Sequence, residues 1–113
     1  MTDAISQREW LSIPALVDLL DLTPSRIRRL IEDKHLLAIR HEGVLSVPAD
    51  FLRDGEPLVY LRGTLFLLED AGFSTEEAMS WLLEVDDALG VAPIDALNAG
   101  RKTEVRRVAQ ALA

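Results

Sequence analysis

"WLSIPALVDLLDLTPSRIRRLIEDKHLLAIRHEGVLSVP", residues 10–48, holds two helix-start signals eleven residues apart and then a change of hydrophobic period. Ser12 stands before Pro14 and before apolar residues at 13, 16, 17 and 20. It therefore reads as the N-cap of a helix of about two turns, with Leu11 spaced to staple onto Leu16. That helix is expected to end near Asp21, a residue type that tolerates a left-handed backbone. Thr23 then caps a second helix with Pro24 at its first position, where a missing N–H costs nothing. A gap of about three residues suits a helix-turn-helix better than an antiparallel helical hairpin. After Lys34 the spacing turns from helical to alternating. "LLAIR" (36–40) and "VLSVP" (44–48) are expected as two strands joined by a tight turn at His41, Glu42 and Gly43, with "ADFL" opening a short helix or turn after Pro48. The segment reads as helix, turn, helix and wing.

Composition limits what such a segment can do. The 113 residues carry a net charge of -7 and contain no cysteine. Disulfides, thiolate nucleophiles and Cys-based zinc sites are thereby excluded. The first 30 residues lack an apolar run behind a basic start, and the longest apolar stretches are far shorter than a spanning helix. A cytoplasmic protein with no membrane association is expected. Residues 1–53 hold seven basic and eight acidic side chains, whereas residues 54–113 hold five basic and eleven acidic ones. A sequence pI near 4.7 opposes indiscriminate binding to polyanions, so any nucleic-acid contact must come from a local patch.

Beyond "DGEP" (54–57), the best candidate for a boundary between submodules, every segment reads as helical. "LVYLRGTLFLLEDAG" ends at Gly72 as a C-terminal cap, and Ser74-Thr75-Glu76-Glu77 forms a capping box before "AMSWLLEV". "APIDALNAG" is a short helix started by Pro and ended by Gly, and "KTEVRRVAQALA" places Val105, Val108, Ala109 and Leu112 on one face. The expected fold is mainly α: a winged helix-turn-helix with a short two-stranded β wing over residues 1–53, and a C-terminal helical extension over residues 54–113 packed against it.

No enzymatic constellation assembles. His35 and His41 lie beside or within the wing, away from any serine that a base could activate, and two histidines without cysteine make a poor metal site. No catalytic residue, metal ligand or cofactor is assigned. Glu76 and Glu77 are explained by the favourable field of a helix N-terminus, and Asp86 and Asp87 by a loop. The exception is Arg26, Arg28 and Arg29, three cations within one turn and a half of the second helix. Each taken alone suits a solvated face. Taken with the helix, turn, helix and wing order, they suit contact with double-stranded DNA, because the N-terminal part of the second helix enters the major groove and Arg forks onto guanine or phosphate. Thr23, Ser25 and the free N–H groups of that helix suit a phosphate oxygen. Arg40 stands where a wing side chain reaches backbone or minor groove. Glu32 and Asp33 follow on the same exposed side, so the basic surface is short. A single copy offers few cations, and a homodimer would add more.

Residues 10–52 resemble the winged helix-turn-helix of excisionase-like and MerR-like DNA-binding proteins. Nearly the whole chain, including "GTLFLLEDAGFSTEEAMSWLLEVDDALGVAPIDALNAGRKTEVRRVAQALA", is similar to a small actinobacterial family of DNA-binding regulatory proteins. In that family the winged module is joined to a C-terminal helical domain, and one member is a mycobacterial Ser/Thr-kinase substrate. The resemblance implies a transcriptional regulator or nucleoid-associated factor. It implies DNA contact through Ser25, Arg26, Arg28 and Arg29, and through the wing from Arg40 through His41 to Gly43. Some relatives carry an N-terminal extension open to phosphorylation. Here nine residues precede Trp10, and Thr2 is a poor basis for kinase control. Residues 81–112 are also similar to the terminal segment of certain antitoxins. That keeps open a protein partner bound through the C-terminal helices, with Met79, Trp81, Leu82 and Leu83 either on that surface or in the core.

Overall fold

The computed structural model describes residue 5 and residues 7–112; Thr2 lies outside them. Strand β1 (Trp10–Ser12) runs straight into helix α1 (Ile13–Leu20), which is followed by α2 (Pro24–Glu32). Ser12 ends the strand and caps the helix at once, its hydroxyl accepting the Ala15 N–H at 3.3 Å. Asp21 adopts the left-handed backbone expected of it, with φ 55°. Leu16 and Ile27, one from each helix, are wholly buried and seat the pair on the core.

The wing consists of β2 (Ile39–His41) and β3 (Val44–Pro48), paired antiparallel with His41 opposite Val44. Glu42 and Gly43 form the two-residue turn, both at positive φ (52° and 81°), a turn whose twist matches that of the flanking strands. The first wing strand begins later than the alternation suggests. Lys34 goes left-handed (φ 65°), and the N–H groups of Lys34 and His35 return to the carbonyls of Ile31 and Leu30. That closure of α2 turns Leu36 and Ala38 into the core before the strand can start. The other edge of β3 is taken by β1, with Leu11 opposite Val47, so the sheet has three strands in the order β1-β3-β2.

A 3₁₀ turn (Ala49–Phe51) leads to a small hairpin, β4 (Leu52–Arg53) and β5 (Glu56–Pro57), whose turn is Asp54-Gly55 with both residues at positive φ. The "DGEP" stretch is thus the tip of a hairpin. Four helices follow: α3 (Leu61–Asp70), α4 (Thr75–Leu83), α5 (Pro93–Asn98) and α6 (Lys102–Gln110). The capping box forms as expected, Ser74 Oγ accepting from the Glu77 N–H and Glu77 Oε1 from the Ser74 N–H. Glu77 is held below the usual carboxylate range by that backbone hydrogen bond first and by the Ser74 side chain second.

One hydrophobic core runs through both halves, from Leu16, Ile27, Val47 and Phe51 to Leu61, Leu68, Met79, Leu82, Ile94 and Val105. Polar ties reinforce it. Arg8 reaches Asp50 at 2.9 Å and Asp95 at 2.8 Å with its own side chain largely buried. Asn98 Nδ2 donates to the Asp50 carbonyl, Arg53 donates to the Asn98 carbonyl, and Lys34 pairs with Glu69. The Arg8 guanidinium is held above its ordinary pKa, chiefly by its hydrogen bond to Asp95, with Asp50 adding to the effect against the opposing cost of burial. Met79, Leu82 and Leu83 are all core residues and unavailable to a partner, while Trp81 is half-buried against the same core. Among the described residues no helix is long and apolar enough to cross a membrane.

Candidate nucleic-acid interface

The start of α2 is built as a helix N-terminus with most of its donors already engaged. Thr23 Oγ1 accepts the Arg26 N–H at 3.3 Å, the Thr23 carbonyl accepts from Ile27, and Pro24 has no N–H. Among the described residues this leaves the Ser25 N–H as the first-turn backbone donor open to a ligand. Several free amides were expected there; the cap and the proline remove two of them. The Thr23 hydroxyl still has its proton to donate, and the Ser25 hydroxyl is exposed beside it.

Ile27 anchors the helix, so the positions on its far side point to solvent. Ser25, Arg26, Arg28 and Arg29 are all exposed. At 100° per residue, Ser25 and Arg29 lie along the middle of that face, with Arg28 on one flank and Arg26 on the other. Arg26 and Arg29 border a shallow notch floored by Leu22 and Leu30. Neither Arg26 nor Arg28 has a carboxylate partner among the described residues, whereas Arg29 Nε is 3.3 Å from Asp33 Oδ2, one helical turn on. That pair is exposed and weak, so Arg29 can exchange it for a phosphate or a base edge. An i, i+4 Arg and Asp on one helix face is a pattern visible in the sequence.

At the wing, Arg40 Nη1 donates to the Gly43 carbonyl at 3.4 Å and so braces the turn that its own strand enters. Gly43 is exposed at the tip next to the exposed Glu42, a carboxylate that disfavours deep phosphate contact there. His41, expected in the wing turn with Glu42 and Gly43, instead ends strand β2. Its ring stacks on Trp10, centroids 4.3 Å apart and planes 11° from parallel, and Trp10 Nε1 donates to the Ile5 carbonyl at 2.9 Å. One face of the imidazole is therefore occupied, and His41 fixes the wing to the N-terminal strand. Trp10 had no assigned role, and its partner 31 residues on carries no local signal.

Two further cations were unmarked in the sequence. Arg8 is committed to Asp50 and Asp95. Arg62 Nε donates to the Asp33 carbonyl at 2.8 Å, which sets the start of α3 against the end of α2.

Comparison with known proteins covers nearly the whole chain. Residues 1–52 match the family model described as "DNA-binding protein Rv2175c, wHTH domain", and residues 59–113 match that described as "Rv2175c C-terminal domain of unknown function". The chain is 32% identical to the DNA-binding protein Rv2175c of Mycobacterium tuberculosis over 114 aligned residues, covering 89% of this chain and 78% of the relative. The NMR structure of Rv2175c superposes with a TM-score of 0.86 at 30% identity, covering 95% of this chain and 82% of that one.

Proposed function

From the premise that the chain belongs to the Rv2175c family, a winged helix-turn-helix followed by a helical C-terminal domain, we propose that it binds double-stranded DNA in the cytoplasm by inserting α2 into the major groove. It acts by binding alone, as a transcriptional regulator or nucleoid-associated factor. Residues 1–53 carry the contacts, and residues 54–113 form the helical module that holds them in place. The observation that carries this reading is the exposed face of α2, where Arg26 and Arg28 stand without carboxylate partners among the described residues in a chain of net charge -7. Acidic proteins gain nothing in solubility from such a cluster, whereas a phosphate row does pair with it.

Within that face, Arg28 and Arg29 make the principal contacts with base edges or backbone, and Arg26 grips a flanking phosphate. The Ser25 amide and the hydroxyls of Ser25 and Thr23 take one phosphate oxygen between them, as helix N-termini do. Arg40 and Gly43 approach the backbone from the wing. His41 contributes by positioning the wing, since its ring is stacked on Trp10. About four to six neutralised phosphates would give a log-log salt slope of roughly -3.6 to -5.4. A homodimer would double the number of contacts and raise affinity steeply.

The test is fluorescence anisotropy of a labelled random-sequence duplex titrated at about 50 and 200 mM salt. Wild type and an Arg28→Ala/Arg29→Ala variant are compared. Binding that falls about 10²- to 10³-fold across that range and vanishes in the variant supports the reading. Absence of binding at low salt, or binding untouched by the double substitution, rejects it.

A further inference from the structure

The acidity of the C-terminal half is not spread evenly over its surface. Residues 54–100 carry ten carboxylates and a single cation, Arg62, whereas residues 101–113 carry four cations and one carboxylate, Glu104. Glu104 is ion-paired with Arg101. Lys102, Arg106 and Arg107 are left without a carboxylate partner within 4.0 Å among the described residues. The end of the chain is thus a second cationic surface on an acidic molecule.

Its geometry is fixed by α3 and α6. Lys102, Thr103 and Arg106 lie on neighbouring positions of one face of α6 and, with Tyr60, line a recess of about 110 Å³. Lys102 Nζ donates to the Tyr60 hydroxyl at 2.9 Å and lies 4.1 Å from the centre of its ring, so the ammonium is held in place with protons to spare. Across from it, Gly63 sits inside α3, and the nearest atom to a side chain built there is Arg106 Nη2 at 3.9 Å. Glycine in a helix interior costs about 1 kcal/mol relative to alanine, and alanine fits here without a clash. What glycine provides is bare backbone beside a guanidinium, where a bulky anionic chain can come close. Arg62, next to it, joins this surface to α2 through the Asp33 carbonyl while its guanidinium stacks over Phe66 at 4.8 Å.

We propose that Lys102 and Arg106, with the Thr103 hydroxyl, form a second phosphate grip that holds the backbone of the same duplex beside the groove entered by α2. This rests on the DNA-binding reading above. The chemistry is that of phosphate positioning: forked or point cations and a hydroxyl around a small polar recess. Asp33 ties the neighbourhood of this patch to the arginines of α2, its carboxylate pairing with Arg29 and its carbonyl accepting from Arg62. Two cationic patches on either side of that carboxylate suit two phosphate rows separated by a groove better than one continuous backbone track.

The experiment is a titration of the full chain into a labelled random-sequence duplex of about 24 base pairs at several salt concentrations between about 50 and 200 mM. Wild type is compared with Lys102→Gln/Arg106→Gln, with Arg107→Gln, which does not line the recess, as a charge control, and with Arg28→Ala/Arg29→Ala. Each lost phosphate contact reduces the salt slope by about 0.9, so the double Gln variant should lose nearly two and weaken on any sequence. Arg107→Gln should leave the slope in place, and Arg106→Lys, which keeps the charge, should retain it. Circular dichroism checks that each variant is folded. A double Gln variant with the wild-type slope, or with no more change than the control, overturns the second grip. If Arg28→Ala/Arg29→Ala abolishes binding in that same series, the reading of α2 stands without it. No wild-type binding at low salt overturns both.

Discussion

Asp33→Asn should tighten DNA binding, because this carboxylate competes with phosphate for Arg29. The pair spans 3.3 Å with side chains 76% and 48% exposed, so solvent screens it strongly. Exposed pairs of this kind are worth about 0.2–1 kcal/mol, and that is the cost of releasing Arg29 to a ligand. Removing the charge also relieves repulsion from the nearest phosphates. At about 10 Å in water a unit pair interacts by about 0.4 kcal/mol before screening. Together these give about 0.5–1.5 kcal/mol, a gain of roughly 2- to 10-fold in affinity at low salt, fading as the Debye length shortens. The Asp33 carbonyl that Arg62 holds is untouched by the change, and stability should move by less than about 0.5 kcal/mol, as for ordinary surface substitutions. Anisotropy titrations of wild type, Asp33→Asn, Arg29→Gln and the double variant close a thermodynamic cycle. The gain from Asp33→Asn should shrink when Arg29 is absent. An unchanged or weakened affinity in Asp33→Asn, or a gain of equal size without Arg29, would refute the competition.

Three other outcomes follow from the geometry. Arg8→Met leaves Asp50 and Asp95 facing each other without their cation; because both are partly solvated, the loss should be about 1–3 kcal/mol, read as a lower urea midpoint at unchanged slope. Gly63→Ala should stabilise the fold by about 0.5–1 kcal/mol, seen as a melting temperature a few degrees higher, and any destabilisation would show that the site is less open than its 3.9 Å clearance indicates. Glu77 has a folded pKa below its unfolded one, so its contribution is present above the unfolded value and is lost as pH falls through the folded one. Glu77→Gln should therefore lower the urea midpoint at neutral pH, with the difference shrinking as pH falls through the folded pKa, and a difference that does not change with acidification would contradict the capping role.

Features written within a few residues were legible in the sequence. Ser12, Thr23 and Ser74 cap the helices they were expected to cap, and Asp21 takes the left-handed backbone, because capping depends on side chains three positions away. The short hairpin around Asp54-Gly55 was hidden by its own turn residues, since the same dipeptide that closes a hairpin also punctuates a linker. Strand β1 escaped because three residues carry no period, and it exists through pairing with β3 some 36 positions on. At the candidate site, the exposure of Arg26, Arg28 and Arg29 followed from helical spacing around Ile27. The stacking of His41 on Trp10 and the reach of Arg62 to Asp33 depend on tertiary placement, which no local pattern encodes.

The bond between Arg8 and Asp95 joins positions 87 apart in a chain of 113. During synthesis, Arg8 leaves the ribosome long before its acceptor exists, and the strands and helices that carry the arginines of α2 emerge complete while that acceptor is still being made. The nascent chain therefore passes through a stage in which the segment that would meet DNA has emerged and the helices that brace it have not. The interval between the emergence of residue 53 and that of residue 95 sets how long that stage lasts, which makes the tempo of synthesis a physical variable in how this protein reaches its native state.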